Sequence, residues 1–164
     1  MQKIRLKLNK KNIERKVDEN TTLLEFLRLE NCLSVRCGCD TSNCGICTVM
    51  FNKKPILSCS KLAISCDGSE IVTLEGLQKE MDEFAPFIAN EGGEQCGFCN
   101  PGFLINTLCL LKEIKNPTED DIKNYLSGNL CRCSGYEAHL RGIKKYISYK
   151  NTSGKVSKKN VKKK

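Results

Sequence analysis

The chain has 164 residues, room for one ordinary domain or two small ones. Aromatic residues are scarce and tryptophan is absent, which excludes a large aromatic core, whereas 12 cysteines exceed what packing alone requires. The net charge of +8 is local: residues 150–164, KNTSGKVSKKNVKKK, hold seven lysines and no acid, and removing those seven from 27 basic residues leaves 20 against 19 acidic ones.

Residues 150–164 are therefore expected to form a disordered, solvated basic tail, with no role in nucleic-acid or membrane binding. The first residues, MQKIRLKLNK, lack the apolar stretch of a secretory signal. No apolar run approaches the roughly 20 residues that span a bilayer. Reduced thiols in a cytoplasmic protein are the expectation, and clustered thiols there serve metal or redox chemistry.

In chain order, Ile4, Leu6 and Leu8 alternate with polar residues, and a looser alternation through Ile13 and Val17 completes a predicted β-hairpin. TTLLEFLRLE predicts a helix, because Thr22 and Glu25 have capping-box spacing and Leu23, Leu24, Phe26 and Leu27 supply an apolar face. CTVMFNKKPILSC reads as strand, turn and strand, and SEIVTLEG as one more strand. The period then changes. EMDEFAPFIAN predicts a short helix interrupted by Pro86. Pro101 suits the first turn of a helix through GFLINTLCLLKEI. NPTEDDIKNYLSG predicts a third helix capped by Thr118 and stopped at Gly128, and GYEAHLRGIKKYISY a fourth. The fold class is thus α+β: a compact domain over 1–77, a helical domain over 78–149 that suggests a four-helix bundle, and the tail.

Eight cysteines fall into two sets. In the first, Cys39, Cys44 and Cys47 follow C-x4-C-x2-C spacing with Cys59 twelve residues on, the pattern of plant-type 2Fe-2S ferredoxins. Gly38 and Gly45 let the loop curl so that backbone N–H groups approach the sulfurs of a negatively charged cluster. In the second, Cys96 and Cys99 precede one predicted helix, and Cys131 and Cys133 lie between two others, where free N–H groups and helix dipoles favour an anion. Structural zinc is the competing reading, since zinc also takes four thiolates, although C-x4-C-x2-C and C-x-C suit it poorly. Cys32, Cys66 and Cys109 read as small core residues; Cys37, two residues before a proposed ligand, stays open. The single histidine, His139, is expected on the surface of its helix, and no nucleophile–base pair or nucleotide-binding glycine loop is evident.

SVRCGCDTSNCGICTV, ILSC, EQCGFCNPGF and LSGNLCRCSGY closely resemble the motifs of the small iron–sulfur subunit of the molybdenum hydroxylases, the xanthine dehydrogenase and aldehyde oxidoreductase family. The resemblance covers residues 1 to about 147. It implies a β-grasp ferredoxin domain followed by a four-helix bundle, each holding one 2Fe-2S cluster. By it Cys39, Cys44, Cys47 and Cys59 match the ligands of one cluster, and Cys96, Cys99, Cys131 and Cys133 those of the other. Gln95 matches the residue that contacts the molybdopterin, and Cys133 the ligand nearest to it. Asp40, Thr41 and Ser42 replace residues that normally include Gly, and Asn100 and Ser134 stand where Thr is common, so hydrogen bonding to the clusters is expected to differ locally.

The family hydroxylates a heterocycle or aldehyde at molybdenum and passes two electrons through both clusters to FAD. The resemblance therefore implies an electron-transfer subunit with no catalytic residue of its own. Its partners would be a large molybdopterin-binding subunit and a medium FAD-binding subunit, in a hetero-oligomer such as a dimer of heterotrimers. A purine such as xanthine, or a related heterocycle, is the expected substrate. A free-standing two-cluster electron carrier and a zinc-binding adaptor are the alternatives.

Overall fold

The computed structural model describes residues 1–161. Strands β1 (Gln2–Leu8) and β2 (Lys11–Val17) form the predicted hairpin, turned by Asn9 and Lys10 in left-handed conformations. Helix α1 (Leu23–Leu29) follows, with Thr22 and Glu25 making the capping box in both directions. Strands β3 (Thr48–Phe51) and β4 (Lys54–Leu57) form a second hairpin, and β5 (Glu70–Val72) joins the two. The sheet is mixed, in the order β2-β1-β5-β3-β4, with β5 parallel to β1 and antiparallel to β3. Strict alternation on β1 buries Ile4, Leu6 and Leu8 against Leu23, Leu27, Val49 and Ile71. Each such side chain contributes about 1.5–3 kcal/mol when fully buried.

The remaining described elements are helical: α2 (Gln78–Asn90), α3 (Asn100–Glu113), α4 (Glu119–Leu126) and α5 (Glu137–Val161). They enclose a second core around Phe84, Ile88, Phe103, Ile105, Leu110 and Ile143. Pro86 does not interrupt α2, contrary to the sequence reading. Pro86 and Asp82 are both exposed. The Asp82 carbonyl, left without its i+4 donor, therefore faces water at little cost. Helix α5 continues through Val161 and so enters the lysine-rich segment; residues 162–164 of that segment lie outside the described residues.

The two halves meet closely. Met50 of β3 lies in the helical core, and α3 packs across β3. A Cβ on Gly102 would stand 2.2 Å from the Gly45 carbonyl oxygen, so α3 can lie this close to the cysteine loop only with glycine there. The Leu130 N–H donates to the Cys44 carbonyl at 2.8 Å, and Asn129 Nδ2 donates to the Gly45 carbonyl at 3.0 Å. Arg36 Nη1 donates to the Gly97 carbonyl at 2.7 Å, and its guanidinium lies over the Phe98 ring. Each tie joins one cysteine loop to the other.

Candidate metal centres

All 12 cysteines are free thiols. The first set lies on the loop between α1 and β3, with Cys59 on a short 3-10 turn after β4. Gly45 has φ +71°, and a Cβ there would stand 2.3 Å from the Gly128 carbonyl oxygen; a Cβ on Gly38 would meet Ile46 Cδ1 at 2.3 Å and Cys44 Sγ at 3.3 Å. Glycine is thus required at Gly45 by both backbone and space, whereas at Gly38 a side chain would first have to displace the end of Ile46. The curl turns amides onto sulfur. The N–H groups of Asn43, Thr41 and Cys44, with the Cys44 thiol, hold Cys39 down to about 6. Burial raises Cys44, while the amides of Ile46 and Gly38 pull the other way. Burial pushes Cys47 up to about 11, against the Cys59 N–H.

The second set joins two helix ends. Cys99 is the N-cap of α3, and Cys131 and Cys133 lie between α4 and α5. The Phe98 N–H and the Cys133 thiol lower Cys96. Burial pushes Cys99 up to about 12. Burial also opposes ionisation of Cys131, but the hydroxyl and amide of Ser134 and the amide of Cys133 outweigh it and the net direction is down.

Within each set the sulfurs come as two pairs. Cys47 and Cys59 lie 3.3 Å apart, and Cys39 neighbours Cys44. Cys133 and Cys96 lie 3.5 Å apart, and Cys99 neighbours Cys131. A single zinc needs all four sulfurs about 2.3 Å from one point. A two-iron cluster instead takes two cysteines on each iron, which is what paired thiols with converging amides offer. The residues present therefore fit 2Fe-2S clusters.

Gln95 is exposed, and its Nε2 donates to the Cys133 carbonyl at 3.2 Å, so these two residues are adjacent. Cys96 and Cys133 are exposed, with exposed Phe98, Leu130 and Tyr136 close to them in sequence. Cys32, Cys66 and Cys109 are core residues as expected. Cys37 is exposed, and its thiol donates to the Cys39 carbonyl at 3.4 Å. His139 departs from the sequence reading: it is buried, on the face of α5 that carries Leu140, Ile143 and Tyr146, tilted against Phe103 with ring centroids 4.2 Å apart and bonded to Ser134. One helical turn separates His139 from Ile143, and that spacing was the available signal.

Comparison with known proteins agrees. Residues 6–75 match the family model of the 2Fe-2S iron-sulfur cluster binding domain, and residues 73–144 that of the [2Fe-2S] binding domain. The nicotinate dehydrogenase small FeS subunit of Eubacterium barkeri is 39% identical over 141 residues, covering 83% of this chain and 90% of that one. The xanthine dehydrogenase iron-sulfur-binding subunit of Escherichia coli is 43% identical over 121 residues, covering 71% of this chain and 76% of that one. The crystal structure of quinoline 2-oxidoreductase from Pseudomonas putida 86 superposes with a TM-score of 0.85 at 30% identity, covering 93% of this chain and 97% of that one. With a ferredoxin-like half, a helical half and family models matched over both, the chain belongs to the 2Fe-2S iron–sulfur subunits of the molybdenum hydroxylase family, electron-transfer components of multi-subunit oxidoreductases.

Proposed function

We propose that Cys39, Cys44, Cys47 and Cys59 hold one 2Fe-2S cluster on a β-grasp domain (residues 1–77), and Cys96, Cys99, Cys131 and Cys133 the other on a four-helix bundle (78–149). When bound, such clusters take up and release one electron at a time. The Cys133 end, with Gln95, receives electrons from a molybdopterin on a large partner subunit, and the Cys39 end delivers them toward FAD on a medium one. The complex is a cytoplasmic hetero-oligomer, a setting that keeps cysteines reduced. The observation that carries this reading is the Leu130 N–H···O=C Cys44 bond, which ties a residue next to Cys131 to Cys44 at 2.8 Å. It holds the two sets in fixed relation, as a relay requires and a free carrier does not.

Gln95 supplies an amide already anchored on Cys133, suited to a pterin ring heteroatom. The exposed apolar residues beside Cys96 and Cys133 suit burial under a partner chain. The relatives' names point to nitrogen heterocycles, nicotinate and xanthine among them, and a purine remains the proposed substrate. The test is native purification followed by rapid-freeze EPR. Two larger chains should co-purify, and Gln95→Ala should slow reduction by substrate while both cluster signals persist. A lone chain with full iron would favour the free carrier, and zinc in place of iron would overturn the reading.

A further inference from the structure

His139 is the chain's sole histidine, 2% exposed in the helical core. Its Nδ1 lies 2.9 Å from Ser134 Oγ, and its buried Nε2 has no hydrogen-bond partner among the described residues. Ser134 Oγ lies 3.1 Å from Cys131 Sγ, and the Ser134 N–H donates to the same sulfur at 3.4 Å. We propose that His139 and Ser134 form a directional hydrogen-bond relay onto Cys131 Sγ that raises the reduction potential of the cluster on the second cysteine set. The proposal rests on Cys131 being a ligand of that cluster.

The ligand fixes the direction. A metal-bound thiolate can only accept, so the Ser134 O–H donates to Sγ. The Ser134 oxygen must then accept from His139, which places a proton on Nδ1. A second proton on Nε2 would be a buried donor with no partner, and burial depresses the imidazolium, so the ring is the neutral Nδ1–H tautomer. The ring is tilted against Phe103 and lines a cavity of about 340 Å³ with Ile122, Leu126, Leu140 and Ile143, alongside Lys123, Ser127 and Tyr136. The ring itself is buried, and hydrogen bonds in low-dielectric surroundings are stronger than in water and reinforce one another along a chain. Reduction adds one electron to the cluster and breaks no bond here. The added negative charge is stabilised by the Ser134 O–H, itself polarised by the Nδ1–H, and donors on ligand sulfur raise the potential.

His139 and Ser134 are positioning residues in this arrangement, and the test reads potential rather than turnover. EPR-monitored redox titration would be run on the full chain in its native complex. Ser134→Ala, which removes one oxygen, should shift one cluster's midpoint downward and leave the other in place. His139→Leu should shift the same midpoint in the same direction by less. Ser134→Thr and His139→Asn, which keep the O–H and an N–H near the Nδ1 position, should restore most of each shift. Unchanged midpoints in both Ser134→Ala and His139→Leu would overturn the relay. So would His139→Asn behaving like His139→Leu, which would mark a purely packing role. Cys131→Ala separates the underlying assignment: if it leaves both signals intact, Cys131 is no ligand and the relay falls with it, whereas loss of one signal with unmoved midpoints in the other variants overturns the relay alone.

Discussion

The two cysteine sets present one chemistry on two kinds of scaffold. The first is local: three thiols lie within residues 39–47, curled by glycine, with Cys44 and Cys47 buried. The second is assembled at long range, with residues 96–99 meeting 131–133 only because α3, α4 and α5 pack together, and there Cys96 and Cys133 stay exposed. A local loop needs backbone conformation to be right; a long-range site needs a core. The local set is thus the more buried of the two, and the assembled set is open at the surface proposed for a partner.

The largest expected effect separates the sets outright. Cys47→Ser should abolish one EPR signal and Cys133→Ser the other, each lowering iron from about four to about two per chain. If either substitution removed both signals from a folded chain, the two scaffolds would not be independent.

The core makes the comparison sharper. Phe84 is fully buried beneath α5 and packs against Tyr146 at 4.7 Å between ring centroids. Phe84→Ala should cost about 3–5 kcal/mol. Thermal melts should then show the second cluster lost at lower temperature than the first. Loss of both at one temperature would mean that the seam through Gly45, Gly102 and Asn129 makes the halves a single cooperative unit.

What was legible in the sequence follows the same division. The two hairpins, the capping box at Thr22, the cap at Thr118 and the Cys39–Cys47 loop are local patterns, and each reads from residues a few positions apart. The seam was not legible, because the meeting of Gly102 with Gly45 and the Leu130–Cys44 bond depend on how α3 and the 127–136 loop fold back on the sheet. His139 was misread for a similar reason. Its spacing from Ile143 was the one local sign of a buried face, and its partner Ser134 belongs to the preceding loop. Pro86 does not break α2, because a proline on a solvent-facing strip of helix costs only a carbonyl that water can serve.

The buried histidine also gives the assembled half a pH response. Burial lowers the His139 pKa in the folded state below its ordinary 6.5. Between those two values the unfolded chain binds a proton that the folded chain refuses, so stability is complete above about pH 6.5 and falls as pH drops. Carboxylates such as Glu119, held down to about 2 by Lys123 and Lys144, act only at lower pH. The melting temperature should therefore decline between pH 7.5 and 5.5, and His139→Leu should make that decline shallower, leaving the part due to Cys39, whose thiol is held down to about 6 and acts in the same direction. An undiminished slope would place the response elsewhere.

The smallest effect lies in the local loop, at Ser42. Its φ is +56°, a left-handed conformation that disfavours any residue with a Cβ, and its Oγ lies 3.4 Å from Cys59 Sγ. As a free thiol Cys59 donates to Ser42; as a thiolate it can only accept, and Ser42 becomes the donor. Ser42 thus carries a backbone cost in exchange for a hydroxyl on a proposed ligand sulfur, much as Ser134 places one on Cys131. Ser42→Gly should relieve the strain, stabilising the chain by about 1 kcal/mol. It should also remove the donor and lower the first cluster's midpoint while leaving the second unmoved. Ser42→Ala should lower the midpoint equally without the gain in stability, because Ala keeps the Cβ. Denaturant melts and redox titrations on the two variants separate the contributions. If both variants left the midpoint unchanged, the hydroxyl would have no part in tuning the first cluster, and the symmetry between the two serines would be broken.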